Sequence, residues 1–338
     1  MTVTEVLRRL PPEQRDLLRP APHPREVRPM LAVLSDRKSF DSGWIFERKL
    51  DGVRALGFRI GGRAGLLSRT GRPMDSTYPE IIDVLERQEC QDFLVDGEIV
   101  ALDDQGRTSF ARLQRRMGLT KPHDVRMSGV AVTYYLFDLL RLDGQDLTRL
   151  PLRTRASLLR RAIDVQPPLR FTTHRSSGGP ELLARACEQG WEGLIAKRAE
   201  GRYVQKRSAD WLKLKCSAGQ EMVVGGFTEP AGSRVGFGAL LVGYYEDDRL
   251  RYAGKAGTGF DTATLLRLRA RLDELEQGSS PFAEPVRERA AHWVRPELVA
   301  QIGFTEWTRD GKLRHPRFLG LRDDKSPREV VRERATGA

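Results

Sequence analysis

Strand-like alternation of apolar and polar residues recurs along the chain and is clearest in residues 44–50. Three apolar side chains fall on one face of this segment, whereas Glu47 and Lys49 fall on the other. The Asp-Gly pair that follows predicts a hairpin turn. Such a turn would return the chain along residues 53–58 and bring Arg54 beside Lys49. The pattern therefore predicts a polar cluster on two paired strands.

Charged residues interrupt three later apolar strand patterns. Glu98 lies within one of them, and Glu192 comes directly before another. In residues 211–216 the alternation places Lys213 and Lys215 on one face. Two like charges on an inward face repel each other unless an anion lies between them. These positions are candidates for binding a charged ligand.

The patterns divide the chain near residue 217. Residues 1–30 are rich in Pro and Arg, and we expect a surface arm with one short helix from Thr4. Strand and helix patterns alternate over residues 31–217, which predicts an α+β domain with antiparallel sheets. The helices of this domain are expected at residues 78–90, 154–163 and 180–189.

Short strand patterns dominate residues 218–338. They cover residues 221–228, 238–246 and 250–256, and a helix is predicted at residues 260–276 before further strands near residues 302–307. This arrangement is consistent with a small β-barrel. The small residues at 217–219 predict a short hinge between the two domains.

Charge and composition favour a nucleic-acid partner. The 338 residues carry 57 Lys and Arg against 46 Asp and Glu, a formal net charge of +11. Charged residues break the first ten positions, and no apolar run reaches membrane-spanning length. We expect a cytoplasmic, nucleoid-associated protein that acts as a monomer.

The cysteines and histidines do not form a recognisable metal motif. Only three cysteines occur, and none forms a Cys-x-x-Cys pair. We therefore expect reduced thiols and no structural zinc. A phosphate-binding Gly-x-x-x-x-Gly-Lys-Ser/Thr loop is also absent. Any nucleotide must be bound in another way.

The candidate polar residues suit attack by a lysine on a nucleoside triphosphate. A lysine amine with a pKa near 10.4 is a poor nucleophile at neutral pH until burial and nearby cations lower that pKa. Lys213 and Lys215 are candidates for lowering the pKa of Lys49 and for neutralising phosphate oxygens. Glu98 and Glu192 offer hard oxygen ligands for Mg²⁺. The plainer alternative is an exposed hairpin with a surface ion pair, because Asp-Gly turns are common.

In motif order the chain resembles the covalent nucleotidyltransferases, and most closely the ATP-dependent DNA ligases of the bacterial end-joining type. The resemblance covers most of the length. The motifs are Lys49-Leu50-Asp51-Gly52-Val53-Arg54, Ser68-Arg69-Thr70-Gly71, Asp96-Gly97-Glu98, Phe137-Asp138, Glu192-Gly193-Leu194-Ile195, Leu212-Lys213-Leu214-Lys215 and Arg322-Asp323-Asp324-Lys325. The resemblance implies a nucleotidyltransferase domain followed by an OB-fold β-barrel, and the sealing of 5′-phosphate/3′-hydroxyl breaks through lysyl-AMP.

The resemblance also implies a role for each position. Lys49 would be the AMP-lysine nucleophile, and Phe137 would stack on adenine. The other implied catalytic residues are Lys213, Lys215, Arg322, Asp324 and Lys325. The implied nucleotide-binding residues are Glu47, Leu50, Arg54, Arg69, Glu98, Phe137, Glu192, Lys213 and Lys215. The implied metal ligands are Glu98 and Glu192, with Mg²⁺ as the expected ion and Mn²⁺ as the other candidate.

Partners and alternatives follow from the same resemblance. The expected substrates are ATP and duplex DNA with nicks or ends. Polymerase and phosphoesterase activities, and an end-binding protein, are expected as separate partners. An RNA ligase or a GTP-using capping enzyme would share the lysine chemistry, and a non-catalytic DNA-binding scaffold is the alternative of another kind.

Overall fold

A computed structural model describes residues 3–216 and 218–334 of the chain. They form two compact units: residues 3–216 with Arg334 belong to the first, and residues 218–333 belong to the second. Ser217 of the predicted hinge lies outside the described residues, so its role stays a prediction. Within the described part of the chain, no helix is both long enough and apolar enough to cross a membrane.

The first unit consists of two mainly antiparallel sheets with helices around them. Its strands are β1 Arg19–Pro20, β2 Leu31–Leu34, β3 Trp44–Arg48, β4 Val53–Ile60, β5 Arg63–Ser68, β6 Phe93–Val100, β7 Thr133–Leu142, β8 Gln145–Asp146, β9 Leu169–Phe171, β10 His174–Arg175, β11 Gly193–Arg198 and β12 Arg207–Lys215. Its helices are α1 Val3–Arg8, α2 Pro12–Arg15, α3 Pro79–Glu86, α4 Phe110–Gln114, α5 Pro122–Met127, α6 Leu152–Ala162 and α7 Gly179–Glu188.

The two sheets of the first unit share a buried cluster. One sheet has the order β1-β8-β7-β6-β4-β5 with β9 beside β7, and the other has the order β10-β3-β11-β12-β2. Leu56, Leu94 and Leu140 of the first sheet pack with Tyr203 and with Trp211 of the second. Side chains on the facing surfaces of the two sheets therefore pack against one another.

The predicted hairpin after Lys49 is wrong. Strand β3 pairs with β10 and β11, whereas β4 pairs with β5 and β6, so the chain crosses from one sheet to the other at residues 49–52. Gly52 does not have a positive φ. A Cβ atom on Gly52 would instead lie 2.2 Å from the Ile99 carbonyl oxygen of β6. Glycine is needed here for close backbone approach, which the Asp-Gly signal does not distinguish from a turn.

The N-terminal segment is packed on the first unit, where the sequence suggested a surface arm. Val6 and Leu7 of α1 are buried in the main core cluster of this unit. Strand β1 pairs with β8 at the sheet edge. Apolar side chains on one face of a short helix supply the burial that holds the segment in place.

The expectation of reduced thiols is wrong for two of the three cysteines. Cys187 and Cys216 form a disulfide with Cα atoms 5.2 Å apart, whereas Cys90 is a buried free thiol. The partners are 29 residues apart in the chain. The fold brings the end of α7 next to the end of β12, and no short motif signals this proximity.

The second unit is a curled sheet with one long helix. Its elements are β13 Gly219–Thr228, β14 Leu240–Glu246, β15 Arg249–Ala256, α8 Thr262–Glu274, β16 Glu276–Gln277, β17 Ala291–Val294, β18 Val299–Gly303 and β19 Arg317–Leu321. Asp261 caps α8 by accepting a 2.7 Å hydrogen bond from Thr264 N. Leu265, Leu268 and Leu272 follow at helical spacing and are buried.

The second unit has the OB-fold arrangement that the sequence predicts, but its described strands do not close into a barrel. Strand β13 pairs with β14 and β17, and also with β18, which carries β19. Beyond β15 and β19, only the isolated bridge between Thr258 and Arg317 links the two ends of the described sheet. The closed barrel is therefore corrected to an open, curled sheet.

Candidate active site

Three neighbouring strands place the candidate residues of the first unit in rows. In the pairing of β3, β11 and β12, Glu47 lies beside Ile195, and Ile195 lies beside Lys213. Gly193 lies beside Lys215 and accepts a 2.9 Å hydrogen bond from Lys49 N. Paired residues of adjacent strands present their side chains on the same face. The register therefore brings together residues from motifs far apart in sequence.

Lys49 is held by a carboxylate. Its Nζ donates to Glu192 Oε2 at 2.5 Å, and the side chains of Lys49 and Glu192 are 18% and 26% exposed. Burial pushes the pKa of Lys49 down, but Glu192, with smaller contributions from Asp51 and Glu98, outweighs burial and raises that pKa. The expected lowering of the pKa of Lys49 is therefore wrong in this structure. Lys49 therefore carries an ammonium group that is already paired with the Glu192 carboxylate.

A second, more deeply buried ion pair lies one row away. Lys197 Nζ donates to Glu47 Oε2 at 2.8 Å, and Thr172 Oγ1 donates to the same oxygen at 3.3 Å. The side chains of Lys197 and Glu47 are 2% and 7% exposed. Lys197 Nζ also lies 4.3 Å from the ring centres of Phe137 and Trp211. This lysine orders both Glu47 and the aromatic residues.

Arg54 on β4 is engaged by residues of its own sheet, Asp96 on β6 and Phe137 on β7. Its guanidinium donates to both carboxylate oxygens of Asp96, at 2.5 and 2.6 Å, and lies 4.6 Å from the Phe137 ring centre. Burial lowers the pKa of Arg54, but Asp96 more than compensates and raises it. Tyr203 Oη donates to Asp96 at 2.6 Å. These contacts fix the Arg54 guanidinium between Asp96 and the Phe137 ring.

The remaining candidates of the first unit lie on β6 and β7, in the chain crossing and in the turn after β5. Glu98 pairs with Arg54 on one side and Tyr135 on the other, and its charge raises the pKa of Lys49. Leu50 directly follows Lys49 in the chain crossing, and Arg69 lies in the turn after β5. Tyr135 and Phe137 share one face of β7, and Tyr134 faces the opposite core. Tyr134 Oη donates to Ala55 O at 2.9 Å.

The C-terminal motif forms a compact charge cluster within the second unit. Arg322 donates to both oxygens of Asp324 at 2.9 Å, and Lys325 Nζ lies 2.9 Å from Glu221 Oε1. Burial raises the pKa of Asp324, but Arg322 outweighs burial and lowers it. Asp324 is therefore ionised at neutral pH.

Several residues that complete this arrangement were not singled out from the sequence. Lys197 lies two residues after the Glu192-Gly193-Leu194-Ile195 motif, Trp211 begins the alternating segment 211–216, and Asp96 lies in the Asp96-Gly97-Glu98 motif, but the sequence predicts no role for any of them. Tyr203 lies in an irregular segment without a periodic signal. A lysine in an otherwise apolar strand was the available signal for Lys197, because buried lysines need a charged partner.

A metal ion would have few protein ligands here. Within residues 3–216 and 218–334, no group of three or more His, Cys, Asp or Glu side chains is placed to hold one. Glu98 and Glu192 remain as a two-carboxylate set beside Lys49. Such a set fits Mg²⁺, which usually binds through one or two carboxylates together with substrate phosphates and water.

Comparisons with known families agree over both units. The family described as "ATP dependent DNA ligase domain" matches residues 29–215, and "ATP dependent DNA ligase C terminal region" matches residues 233–325. A solved structure titled "mycobacterial DNA ligase D complexed with ATP and MES" is 35% identical with a TM-score of 0.64. The match covers 91% of this chain and 99% of that chain.

Longer relatives share the same region. "Multifunctional non-homologous end joining protein LigD" of Pseudomonas aeruginosa is 40% identical over 94% of this chain. The protein with the same description in Mycolicibacterium smegmatis is 35% identical over 92% of this chain. The chain spans only 38% and 40% of the lengths of these two relatives.

Proposed function

Because this chain belongs to the ATP-dependent DNA ligase family, we propose that it seals 5′-phosphate/3′-hydroxyl breaks in DNA through a lysyl-AMP intermediate. The observation that carries the proposal is the Lys49 amine held by Glu192 beside the row of Gly193 and Lys215. A lysine in such a position can bond to phosphorus once it loses its proton.

The first step is attack of Lys49 Nζ on the α-phosphate of ATP, with release of pyrophosphate. Glu192 keeps the amine protonated in the free protein, so its hold must weaken before attack. Negative phosphate oxygens would be neutralised by Lys213 and Lys215, which lie two residues apart on β12 and so on the same face of the strand. Bound Mg²⁺, held by Glu98 and Glu192, would supply further neutralisation of phosphate charge.

Recognition of the base falls to the row around Glu47. Its carboxylate, oriented by Lys197 and Thr172, is an acceptor for the adenine amino group. Phe137 offers a ring for stacking, and its orientation is supported by Trp211 at a 6.0 Å centroid distance. Arg54, already paired with Asp96, packs against the Phe137 ring and would contact the ribose.

AMP then passes to the 5′-phosphate of the break, and the 3′-hydroxyl attacks that phosphate and expels AMP. These transfers depend on positioning and charge neutralisation. Arg322, Asp324 and Lys325 serve the first step by orienting pyrophosphate, and the second domain moves between steps. The predicted hinge covered residues 217–219, but Gly219 begins β13 and pairs with Gly303, so the hinge is proposed at residues 217–218.

The biological setting proposed is repair by end joining. Relatives described as end-joining proteins share most of this chain, and the net charge of +11 suits a DNA substrate. An end-binding protein and a polymerase are proposed as partners. The protein is proposed to act as a monomer in the cytoplasm, next to the nucleoid.

One experiment tests the nucleotide and the nucleophile together. The protein is incubated with labelled ATP, GTP or NAD and either Mg²⁺ or Mn²⁺, and labelled peptides are mapped by mass spectrometry. AMP should appear on Lys49 from ATP alone, and Lys49→Ala should lose the label and the sealing of a nicked duplex. Label from GTP only, or an adduct on another residue, would refute the assignment.

A further inference from the structure

The disulfide lies at the accessible edge of the candidate active site. Cys187 is exposed on the last turn of α7, and Cys216, half-buried, directly follows β12. The bond closes a loop that contains both Glu192 and Lys215. Exposed disulfides exchange with external thiols more readily than buried ones.

A short series of backbone contacts leads from this bond to Lys49. Cys216 N donates to Glu192 O at 3.1 Å, and the preceding Lys215 pairs with Gly193. Gly193 O accepts the 2.9 Å hydrogen bond from Lys49 N. The disulfide thus fastens the end of the ladder that positions Lys49 and its carboxylate partner.

We propose that Cys187 and Cys216 form a reversible modification site for low-molecular-weight thiols and disulfides, and that its redox state sets the rate at which Lys49 is adenylated. The coupling rests on the proposed function. In oxidation, the Cys187 thiolate attacks a small disulfide and releases one small thiol. The Cys216 thiolate then attacks the Cys187 sulfur of the mixed disulfide and releases the second thiol.

The direction of the effect follows from strand fraying. Ends of strands open locally at low free-energy cost, and a covalent link across the end opposes that opening. In the bonded form, Lys215 and Glu192 keep their register with Gly193 and Lys49. In the reduced form the end of β12 opens more often, so the phosphate-binding and nucleophilic residues are aligned for less of the time.

The test uses the full chain equilibrated with reduced or oxidised glutathione. Alkylation by a maleimide under denaturing, non-reducing conditions should add one group to the oxidised form, at Cys90, and three to the reduced form. Lysyl-AMP formation is then timed at limiting ATP without DNA. The oxidised form should react about fivefold faster, at the lower end of usual coupling between sites.

Three variants complete the test. Cys187→Ser and Cys216→Ser should be adenylated at the slower rate of the reduced parent in both glutathione conditions. The adenylation rate of Cys90→Ser should change between the two conditions as that of the parent does. Equal adenylation rates in the two redox forms, or no change in the alkylated mass, would overturn the inference alone. Absence of adenylation in both forms would overturn the proposed function and the coupling, and the mass would still report whether the thiol pair is reversible.

Discussion

At the scale of single residues, the site depends on pairs of opposite charges. Lys49 pairs with Glu192, Lys197 with Glu47, and Arg54 with Asp96. Buried charges are costly unless they are paired. Each pair therefore holds a charged side chain in place. A ligand that binds one of these side chains must replace its partner.

Glu192→Gln should lower the pKa of Lys49. The carboxylate is what holds this pKa above its ordinary value, and burial, which lowers it, would then dominate. Neutral amine would form at lower pH than in the parent. The measurement is the pH dependence of Lys49 acylation by a small amine-reactive reagent, followed by peptide mass spectrometry. An unchanged or upward-shifted profile would contradict the role of Glu192.

Lys197→Met should destabilise the protein by about 3 kcal/mol, because it leaves Glu47 buried without its partner. Lys255→Met is the matched control, since Lys255 pairs with Glu288 but is 53% exposed. The control should cost less than about 1 kcal/mol. Urea unfolding of both variants provides the comparison. Equal losses of unfolding free energy in the two variants would contradict the argument that burial makes the Lys197–Glu47 pair matter more than an exposed pair.

At the scale of elements, the chain crossing between β3 and β4 is the feature that shapes the site. Strand β3 carries Glu47 into one sheet, and β4 carries Arg54 into the other. Lys49 lies at the crossing, so it is reachable from both sheets. The paired rows across β3, β11 and β12 then supply the Glu47 carboxylate and the amines of Lys213 and Lys215.

Gly52→Ala should destabilise the protein by about 2 kcal/mol, because the new Cβ would overlap a backbone oxygen. The new Cβ atom would lie 2.2 Å from Ile99 O, and β6 cannot move away without breaking its pairing with β4. Gly278→Ala is the control, since its Cβ would meet nothing within 4 Å. Thermal unfolding of the two variants decides the matter. A stable Gly52→Ala protein would refute the close-approach argument.

At the scale of the whole molecule, each unit has a core of its own. Met222, Phe227 and Phe237 belong to the cluster of the second unit, whereas Tyr134 and Phe93 belong to that of the first. Separate cores allow two bodies joined by a short connection to move as units. The excess of basic residues acts at the same scale, because the summed electrostatic field of the protein would attract the proposed DNA substrate.

DNA binding should therefore weaken steeply with salt. Displacement of counterions from only a few phosphates predicts a rise in Kd of at least about tenfold between about 50 and about 200 mM salt. Fluorescence anisotropy with a labelled nicked duplex measures this. Affinity that does not change with salt would contradict a charge-driven interface.

The sequence by itself determined the chemistry and the order of the elements. Alternation revealed β12 and its two lysines, helical spacing revealed α3, α6, α7 and α8, and the motif order predicted Lys49 as the nucleophile. These are local properties, because periodicity and residue type act within a few positions of the chain.

Only the tertiary structure decided which residues meet. The exit of β4 into a second sheet, the pairing of Lys197 with Glu47, the raised pKa of Lys49 and the bond between Cys187 and Cys216 all depend on contacts distant in sequence. Strand pairing and burial are set by competition among many surfaces at once. A local pattern fixes what each residue offers, and packing fixes its partner and therefore its charge state.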